Sequence, residues 1–458
     1  MTGKKIVIIG AGSAMFTQGL VADLIVSGGA WTLGLVDIDP SALDVAAGLS
    51  RRMVEAKGAN IVLESSTDRR DLLPGADVVV TTIGVGGRRA WEADVYIPRK
   101  YGIYQPVGDT AMPGGISRAL RMVPAMVDIA NDVHKLCPQA RFFNYANPMT
   151  ANCWAVRKAT GADMVGLCIG TPHVIHDLAR FLGVPASEVT ALAAGLNHFT
   201  WIYDLRHRGQ DAWPQVRALV ARERGSAERS AAADLAPGGD TIMLAELSDR
   251  FRVGDSPFTW SLFEAYGAYP AVHDRHVVEF WPERFPQGAY YGKTLGVDCF
   301  SFEQTIAHGD QIYADMRAQA LGEKPLDERI FSRAVGEHSE LVDIIRALDE
   351  DRRQVYYANL PNRGAIPNLP SEAVLEMTCV ATARGLQPLQ ELRYPDILAA
   401  TIQRKVSAIA LTVEAALTGN RRLFVEALLA DGAVTDVGVA GKLADELLAA
   451  QTQYLPQF

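Results

Sequence analysis

The chain has 458 residues, a net charge of −9, and 48% hydrophobic against 21% charged residues, the composition of a globular protein large enough for two domains and a sizeable core. The acidic balance excludes nucleic acid as a partner, because phosphate binding needs a basic surface. No run approaches the ~18 apolar residues of a membrane span, and the first strand is expected by residue 5, with no room for a signal peptide, so the expectation is no membrane and a cytoplasmic location.

The first informative stretch is Lys4 to Phe16, KKIVIIGAGSAMF. Ile6, Val7, Ile8 and Ile9 form the β-branched run of a strand buried on both faces. Gly10, Ala11, Gly12 and Ser13 follow, and residues 14–27 read as helix with Phe16, Leu20, Ala22, Leu24 and Ile25 on the apolar face. A strand, a glycine turn and a helix N-terminus aim backbone N–H groups and the helix dipole at an anion. The pattern is GxGSxxF, without a third glycine. Trp31 to Val36 reads as the next strand and ends at Asp37. A carboxylate there suits the ribose hydroxyls of NAD and repels the extra phosphate of NADP. Ala76 to Ile83 is another buried strand, ending in Gly84, Gly86 and Gly87. The expected dinucleotide-facing set is Gly10, Gly12, Ser13, Ala14, Met15, Phe16, Asp37 and Gly84.

Arg88, Arg89 and Glu92 come next. A segment dense in glycine and proline then reads as an ordered loop entering a helix near Ile116, with Arg118 and Arg121 on the first turns. Residues 140–147 give a strand closed by Asn147-Pro148. Met164 to Cys168 gives another, with a helix over 172–182, and Val189 to Gly195 leads into Asn197-His198-Phe199-Thr200-Trp201. This alternation predicts an α/β fold, a Rossmann-type doubly wound sheet, as an NAD-binding domain over residues 1–200. From 201 to 458 the pattern is that of an α+β substrate-binding and oligomerisation domain. Residues 214–250 are charged and helical, broken at Pro237-Gly238-Gly239. Residues 254–282 are crowded with aromatics, histidine and acids. Helices follow, with Ile402, Val406, Ile409 and Val413 on one face and a stop at Gly419-Asn420.

The five cysteines are scattered, odd in number and never CxxC, which is neither a disulfide framework nor a structural zinc site. Cys168 and His198 each follow a predicted strand on the ligand side of the sheet. A thiolate and an imidazole suit Mn2+ or another divalent metal, although the spacing alone also fits two core residues. Asp274, Arg275 and His276 stand in a row, as a general base and anion pocket or as a solvated loop cluster.

The motifs GAGS at 10–13, IPRKYGIYQPVGDTAMPGGISR at 97–118, NPMT at 147–150, GLC at 166–168, GLNHFTW at 195–201, YGAYP…DRHVVEF at 266–280 and PNRGAIPNLP at 361–370 together resemble the family 4 glycoside hydrolases, NAD-dependent glycosidases outside the two-carboxylate scheme. The likeness is strongest to the α-galacturonidase-type members, and it implies a lactate/malate dehydrogenase-like fold. It further implies Cys168 and His198 as metal ligands, Asn147 between the sugar hydroxyls and the nicotinamide, and Asp109 and Arg118 in the sugar pocket. The base would be Asp274 or Tyr266. The implied reaction is a transient oxidation of the sugar at C3 by NAD, which acidifies C2–H, followed by elimination of the C1 oxygen.

One departure bears on the substrate. Related α-glycosidases carry His directly after the metal cysteine, and 6-phospho-specific relatives carry Asp or Asn at that position; this chain has Ile169. Ile169 neither donates a proton nor hydrogen-bonds a C6 group. The resemblance therefore points to a divergent branch acting on a C6-acidic hexoside. A sulfoquinovoside comes first, as in NAD-dependent sulfoquinovosidases, and a hexuronide next. Arg88, Arg89, Arg275, His276 and Arg363 are the candidate donors to the acid group, with His198 also at the sugar. The alternatives are a plain NAD-dependent dehydrogenase of a sugar or hydroxy acid and a non-catalytic NAD sensor. Relatives are dimers or tetramers, so a homodimer or homotetramer is expected.

Overall fold

The computed structural model describes residues 3–227, 252–332, 339–390 and 393–458. Six strands run parallel: β1 Lys4–Ile9, β2 Trp31–Val36, β3 Ile61–Ser66, β4 Val78–Thr81, β5 Arg141–Asn144 and β6 Met164–Gly166. Their order is β3-β2-β1-β4-β5-β6, the 3-2-1-4-5-6 order of dinucleotide-binding sheets. Helices cover both faces, so the central strands β1, β2 and β4 are largely apolar runs without alternation, while the edge strand β3 is half-exposed and ends in Glu64, Ser65 and Ser66. Ile6, Val7, Ile8, Val78, Val79 and Val80 are fully buried.

Beyond β6 the same sheet turns antiparallel. β7 Val189–Leu196, β8 Phe199–His207, β9 Tyr269–Pro270, β10 Val355–Pro361 and β11 Val374–Thr382 continue it in the order β6-β10-β11-β7-β8-β9, and the short strands Gln210–Asp211 and Gly385–Pro388 pair with β8 and β11. The parallel arrangement therefore stops at β6, although the helix Gly170–Leu182 still links β6 to β7. β7 and β8 form a hairpin in which Leu196 faces Phe199. Its two-residue tip is Asn197-His198, and His198 takes φ +62°, a left-handed backbone that is uncommon outside glycine. Two strands from the second half of the chain, β10 and β11, lie between β6 and β7, so one sheet spans both halves.

Three local boundaries differ from the sequence reading. The helix after β1 is Thr17–Ser27 and not 14–27. Ser13 Oγ accepts from the N–H groups of Met15 at 3.3 Å and Phe16 at 3.4 Å, and this local turn delays the helix. A helix over Gly87–Arg99 occupies the start of the segment read as loop. The following helix begins at Met112, not near Ile116, because Pro113 suits a first turn and Gly114 and Gly115 pack where no Cβ fits. A Cβ on Gly115 would lie 2.3 Å from the Thr110 carbonyl carbon. The expected break at Pro237-Gly238-Gly239 lies outside the described residues.

The C-terminal helices Asp396–Thr418, Arg421–Asp431 and Val437–Gln451 pack on the long helix Met112–Leu136. Among the described residues no helix is long and apolar enough to cross a membrane.

Candidate active site

The carbonyl ends of β1, β2 and β4 build the first part of the site. Gly10 and Ala11 N–H groups donate to Val36 O at 2.8 and 2.9 Å, which folds the turn across the end of β2. Gly10 has φ +95°, and a Cβ there would lie 2.7 Å from Ile83 N. A Cβ on Gly12 would lie 2.6 Å from Ala42 Cβ and 2.8 Å from Asp37 Oδ2. Only glycine fits either place, so bare backbone N–H groups face the groove. Asp37 Oδ2 accepts from Gly12 N–H at 2.8 Å, and Oδ1 accepts from Asp39 N–H at 3.0 Å. The carboxylate is thus held at the rim of the turn. This cradle has the shape and donors for a dinucleotide.

The second part lies around Asp109, on the loop between the helices Gly87–Arg99 and Met112–Leu136. Thr110 O–H donates to Asp109 Oδ1 at 2.7 Å, and Thr110 Oγ1 lies 3.0 Å from His198 Nδ1. With its proton committed to Asp109, Thr110 accepts from His198 Nδ1–H. That leaves the His198 Nε2 lone pair for a ligand, the tautomer a metal-binding histidine needs. Cys168 is half-buried and its Sγ accepts from Gly170 N–H at 3.4 Å. The donor chemistry of Cys168 and His198 therefore fits a divalent transition metal.

Asn147 Nδ2 donates to Asp109 Oδ2 at 2.9 Å, and Asn147 Oδ1 is buried without a hydrogen-bond partner among the described residues. Arg118 Nε donates to Asn147 O at 3.0 Å, and its guanidinium lies 5.6 Å from the Trp91 ring centre. The His276 ring centre is 4.4 Å from that of His198. Burial pushes His276 well below the ordinary imidazole range, and the neighbouring charges of His198 and Arg275 push the same way. Burial raises the Asp109 carboxyl, but His198, His276 and Arg118 outweigh it and hold the group below its ordinary value.

Comparisons with known proteins fit this arrangement. The model of the family 4 glycosyl hydrolases matches residues 5–184, and that of their C-terminal domain matches residues 193–434. The chain is 32% identical to an α-galacturonidase of Thermoanaerobacterium saccharolyticum, over 98% of this chain and 96% of that one. It is 30% identical to an α-galactosidase of Rhizobium meliloti, over 100% and 90%. The crystal structure of a 6-phospho-α-glucosidase from gut microorganisms, in complex with NAD and Mn2+, superposes with a TM-score of 0.83 at 17% identity, covering both chains completely.

The chain belongs to glycosyl hydrolase family 4. It is a glycosidase, and this membership displaces the plain dehydrogenase and sensor readings.

In this family 4 enzyme Asp109, Asn147, Arg118, His198 and His276 form one cluster. Cys168 Sγ accepts from Gly170 N–H, and Gly170 packs against the Ala271 carbonyl and the Val272 side chain on the segment leading to His276; a Cβ on Gly170 would lie 3.0 Å from Ala271 O. Arg275 is buried behind, donating to Thr305 Oγ1 at 2.9 Å. Other expected donors are engaged elsewhere. Arg88 pairs with Asp310 at 2.6 Å, Arg89 pairs with Glu92 and Asp310, and Arg363 pairs with Asp163 at 3.3 Å.

Asp274, one of the two candidate bases, is fully engaged in hydrogen bonds. Its oxygens accept from Phe258 N at 2.9 Å, Thr259 N at 2.7 Å, Thr259 Oγ1 at 2.6 Å and Tyr290 Oη at 2.5 Å. It is 1% exposed and caps the helix Pro257–Tyr266. Four donors occupy its lone pairs, which suits a structural pin and not a base. Tyr266, at the other end of that helix, is half-buried between Trp201 and Trp281, with ring centres 5.3 and 5.8 Å away.

Two residues escaped the sequence reading. Thr110 bridges Asp109 to His198, and only its place beside Asp109 hinted at it. Glu279 Oε1 accepts from both Val107 and Gly108 N–H at 2.8 Å, fixing the loop that carries Asp109. Burial pushes its carboxyl up to about 8.

Proposed function

We propose that this enzyme cleaves α-glycosides of a hexose bearing an acid group at C6, a sulfoquinovoside before a hexuronide, with NAD and a divalent metal such as Mn2+. The observation that carries the acidic preference is local. In a chain of net charge −9, the Arg118 guanidinium and the tilted imidazole pair of His198 and His276 lie beside the Asp109 carboxylate, with the Arg275 guanidinium behind His276. Such a cluster favours an anionic ligand. Ile169, on the turn after Cys168, offers a C6 hydroxyl nothing to bond.

When bound, NAD supplies a hydride acceptor and donor at C3, and the metal supplies Lewis acidity at the neighbouring oxygens. The backbone from Gly10 to Phe16 and the Asp37 carboxylate would hold the dinucleotide, with Gly84 facing it from β4. Cys168 and His198 would hold the metal. Asn147 and Asp109 would orient the sugar hydroxyls, fixed in turn by Arg118 and Thr110. Tyr266 Oη would receive the C2 proton, because the lone pairs of Asp274 are filled. The buried site limits water until the leaving group departs. A cytoplasmic homodimer or homotetramer is part of this reading.

The test is a panel of nitrophenyl α-glycosides with NAD and Mn2+ added. The sulfoquinovoside and the hexuronides should exceed the galactoside and glucoside in kcat/KM by at least ~10-fold, the scale of one charged contact. Release from neutral hexosides alone would remove the acidic preference while leaving the glycosidase assignment intact.

A further inference from the structure

A second group of ligand-type side chains lies outside the site described above. His173 and Asp177 stand one turn apart on the helix Gly170–Leu182, and His273 comes from the loop after β9. His173 Nε2 and His273 Nε2 lie 3.3 and 3.1 Å from the same oxygen, Asp177 Oδ2. All three candidate ligand atoms are within 4.8 Å of one another. We propose that His173, Asp177 and His273 form a binding site for a divalent first-row transition metal ion, separate from Cys168 and His198, that ties the His273–His276 loop to the helix following Cys168.

The distances suit an ion. Ligand bonds of ~2.1 Å meeting at right or tetrahedral angles place neighbouring donor atoms ~3.0–3.4 Å apart. Both measured edges fall in that range. Two imidazoles and one carboxylate from two elements are the donor set of open facial sites for Fe2+, Zn2+ or Mn2+. Asp177 is 2% exposed, and its Oδ1 accepts no hydrogen bond among the described residues. The Arg180 guanidinium stands 3.6 Å from that oxygen and orients the carboxylate. Burial lowers the His173 pKa more than Asp177 raises it, which leaves the ring neutral with a lone pair to give. The His273 side chain keeps 30% of its surface, leaving an open face for water ligands.

The location gives the ion a role. His173 lies on the first turn of the helix that follows Cys168, and His273 precedes Arg275 and His276. An ion there would hold the two walls of the catalytic cluster at a fixed separation. It would act as a positioning element that touches no substrate.

The test is metal counting on full-length protein stripped with chelator, reloaded with Zn2+ and desalted. Cys168→Ser removes the first site, so that variant should keep about one Zn2+ per chain, and Cys168→Ser/His273→Ala about none. Co2+ added to Cys168→Ser should give d–d absorption bands that vanish in the double variant. Zn2+ should raise the melting temperature of Cys168→Ser by several degrees, as expected for ligand at ~100 times its Kd. A Cys168→Ser protein that holds no Zn2+, or one whose Zn2+ survives His273→Ala, would overturn the proposal without any mutant of uncertain folding. Wild type and Cys168→Ser each holding one ion, lost on His273→Ala, would support this site while overturning the metal role of Cys168.

Discussion

At the scale of single residues, burial decides roles that residue type leaves open. Asp274 and Tyr266 sit at opposite ends of one ten-residue helix, and either could serve as a base by chemistry alone. The four hydrogen bonds to Asp274 tie its charge to the helix N-terminus. Asp274→Asn would turn one acceptor oxygen into a donor facing N–H or O–H groups. It should cost about 3 kcal/mol in denaturant unfolding while the surviving folded enzyme still exchanges the substrate C2 hydrogen with deuterium. Tyr266→Phe should leave stability nearly unchanged and slow that exchange by ~10²–10⁴-fold, the usual yield of a positioned base. The opposite pattern would return the role to Asp274. Glu279 makes a pH prediction. Its carboxyl is raised to about 8 by burial, against the backbone donors Val107 and Gly108, with Asp109 raising and Arg275 lowering it. The folded state thus binds a proton that the unfolded chain releases above its ordinary value of 4.5. Its contribution to stability is complete below that value and is lost as pH rises through about 8. Thermal melts should show a fall that starts above pH 4.5 and levels off above about pH 8, and Glu279→Gln should flatten it.

At the scale of elements, the turn from β1 into the helix Thr17–Ser27 is built so that no side chain intrudes. Gly12 touches both Ala42 and Asp37, and its N–H is one of the two donors that fix the Asp37 carboxylate. Gly12→Ala should displace Asp37, raise the KM for NAD by at least ~10-fold and weaken discrimination against NADP. The melting curve without cofactor should also fall, since the new Cβ meets the rigid Cβ of Ala42 at 2.6 Å. The β7–β8 hairpin shows the same economy. Its tip forces His198 into a left-handed backbone, a strained choice of the kind found where function over-determines a residue. The strain turns the ring toward Thr110 and His276, away from the strand axis.

At the scale of the whole molecule, the C-terminal helices complete what the sheet begins. Lys405, on the helix Asp396–Thr418, is 5% exposed and bonds Asp431 Oδ2 and Asp431 O, each at 2.8 Å. Asp431 Oδ2 is also 3.4 Å from Met112 N, at the start of the long helix that positions Arg118. Lys405→Met should destabilise by ~3–5 kcal/mol in urea, because it strands a buried carboxylate. Adding Asp431→Leu should recover much of that loss. A negligible effect of the single change would mean that Asp431 takes up a proton cheaply, and the pair would not bind these helices together. Gln451 Nε2 to Ala90 O at 2.8 Å and Gln457 Nε2 to Leu120 O at 2.7 Å make the same connection further along.

The sequence by itself determined the parallel strands other than β3, the NAD-type turn and the order of the motifs, because these rest on short-range pattern: β-branched runs, adjacent glycines, an acid at a strand end; β3 (IVLESS), a half-exposed edge strand, lacks that pattern. It placed Asp109, Asn147, His198 and His276 as candidates but could not say that they meet, since they lie on four segments spread over most of the first 280 residues. Only the tertiary structure inserted β10 and β11 between β6 and β7, because pairing Asn359 with Gly166 and Glu376 with Gly195, partners far apart in the chain, leaves no mark on local periodicity. It also decided which charges are spent: Asp274 on a helix end, Arg88 on Asp310, and Arg363 on Asp163. The sequence names a side chain's chemistry, but its surroundings decide whether a lone pair or a charge is left over for a ligand.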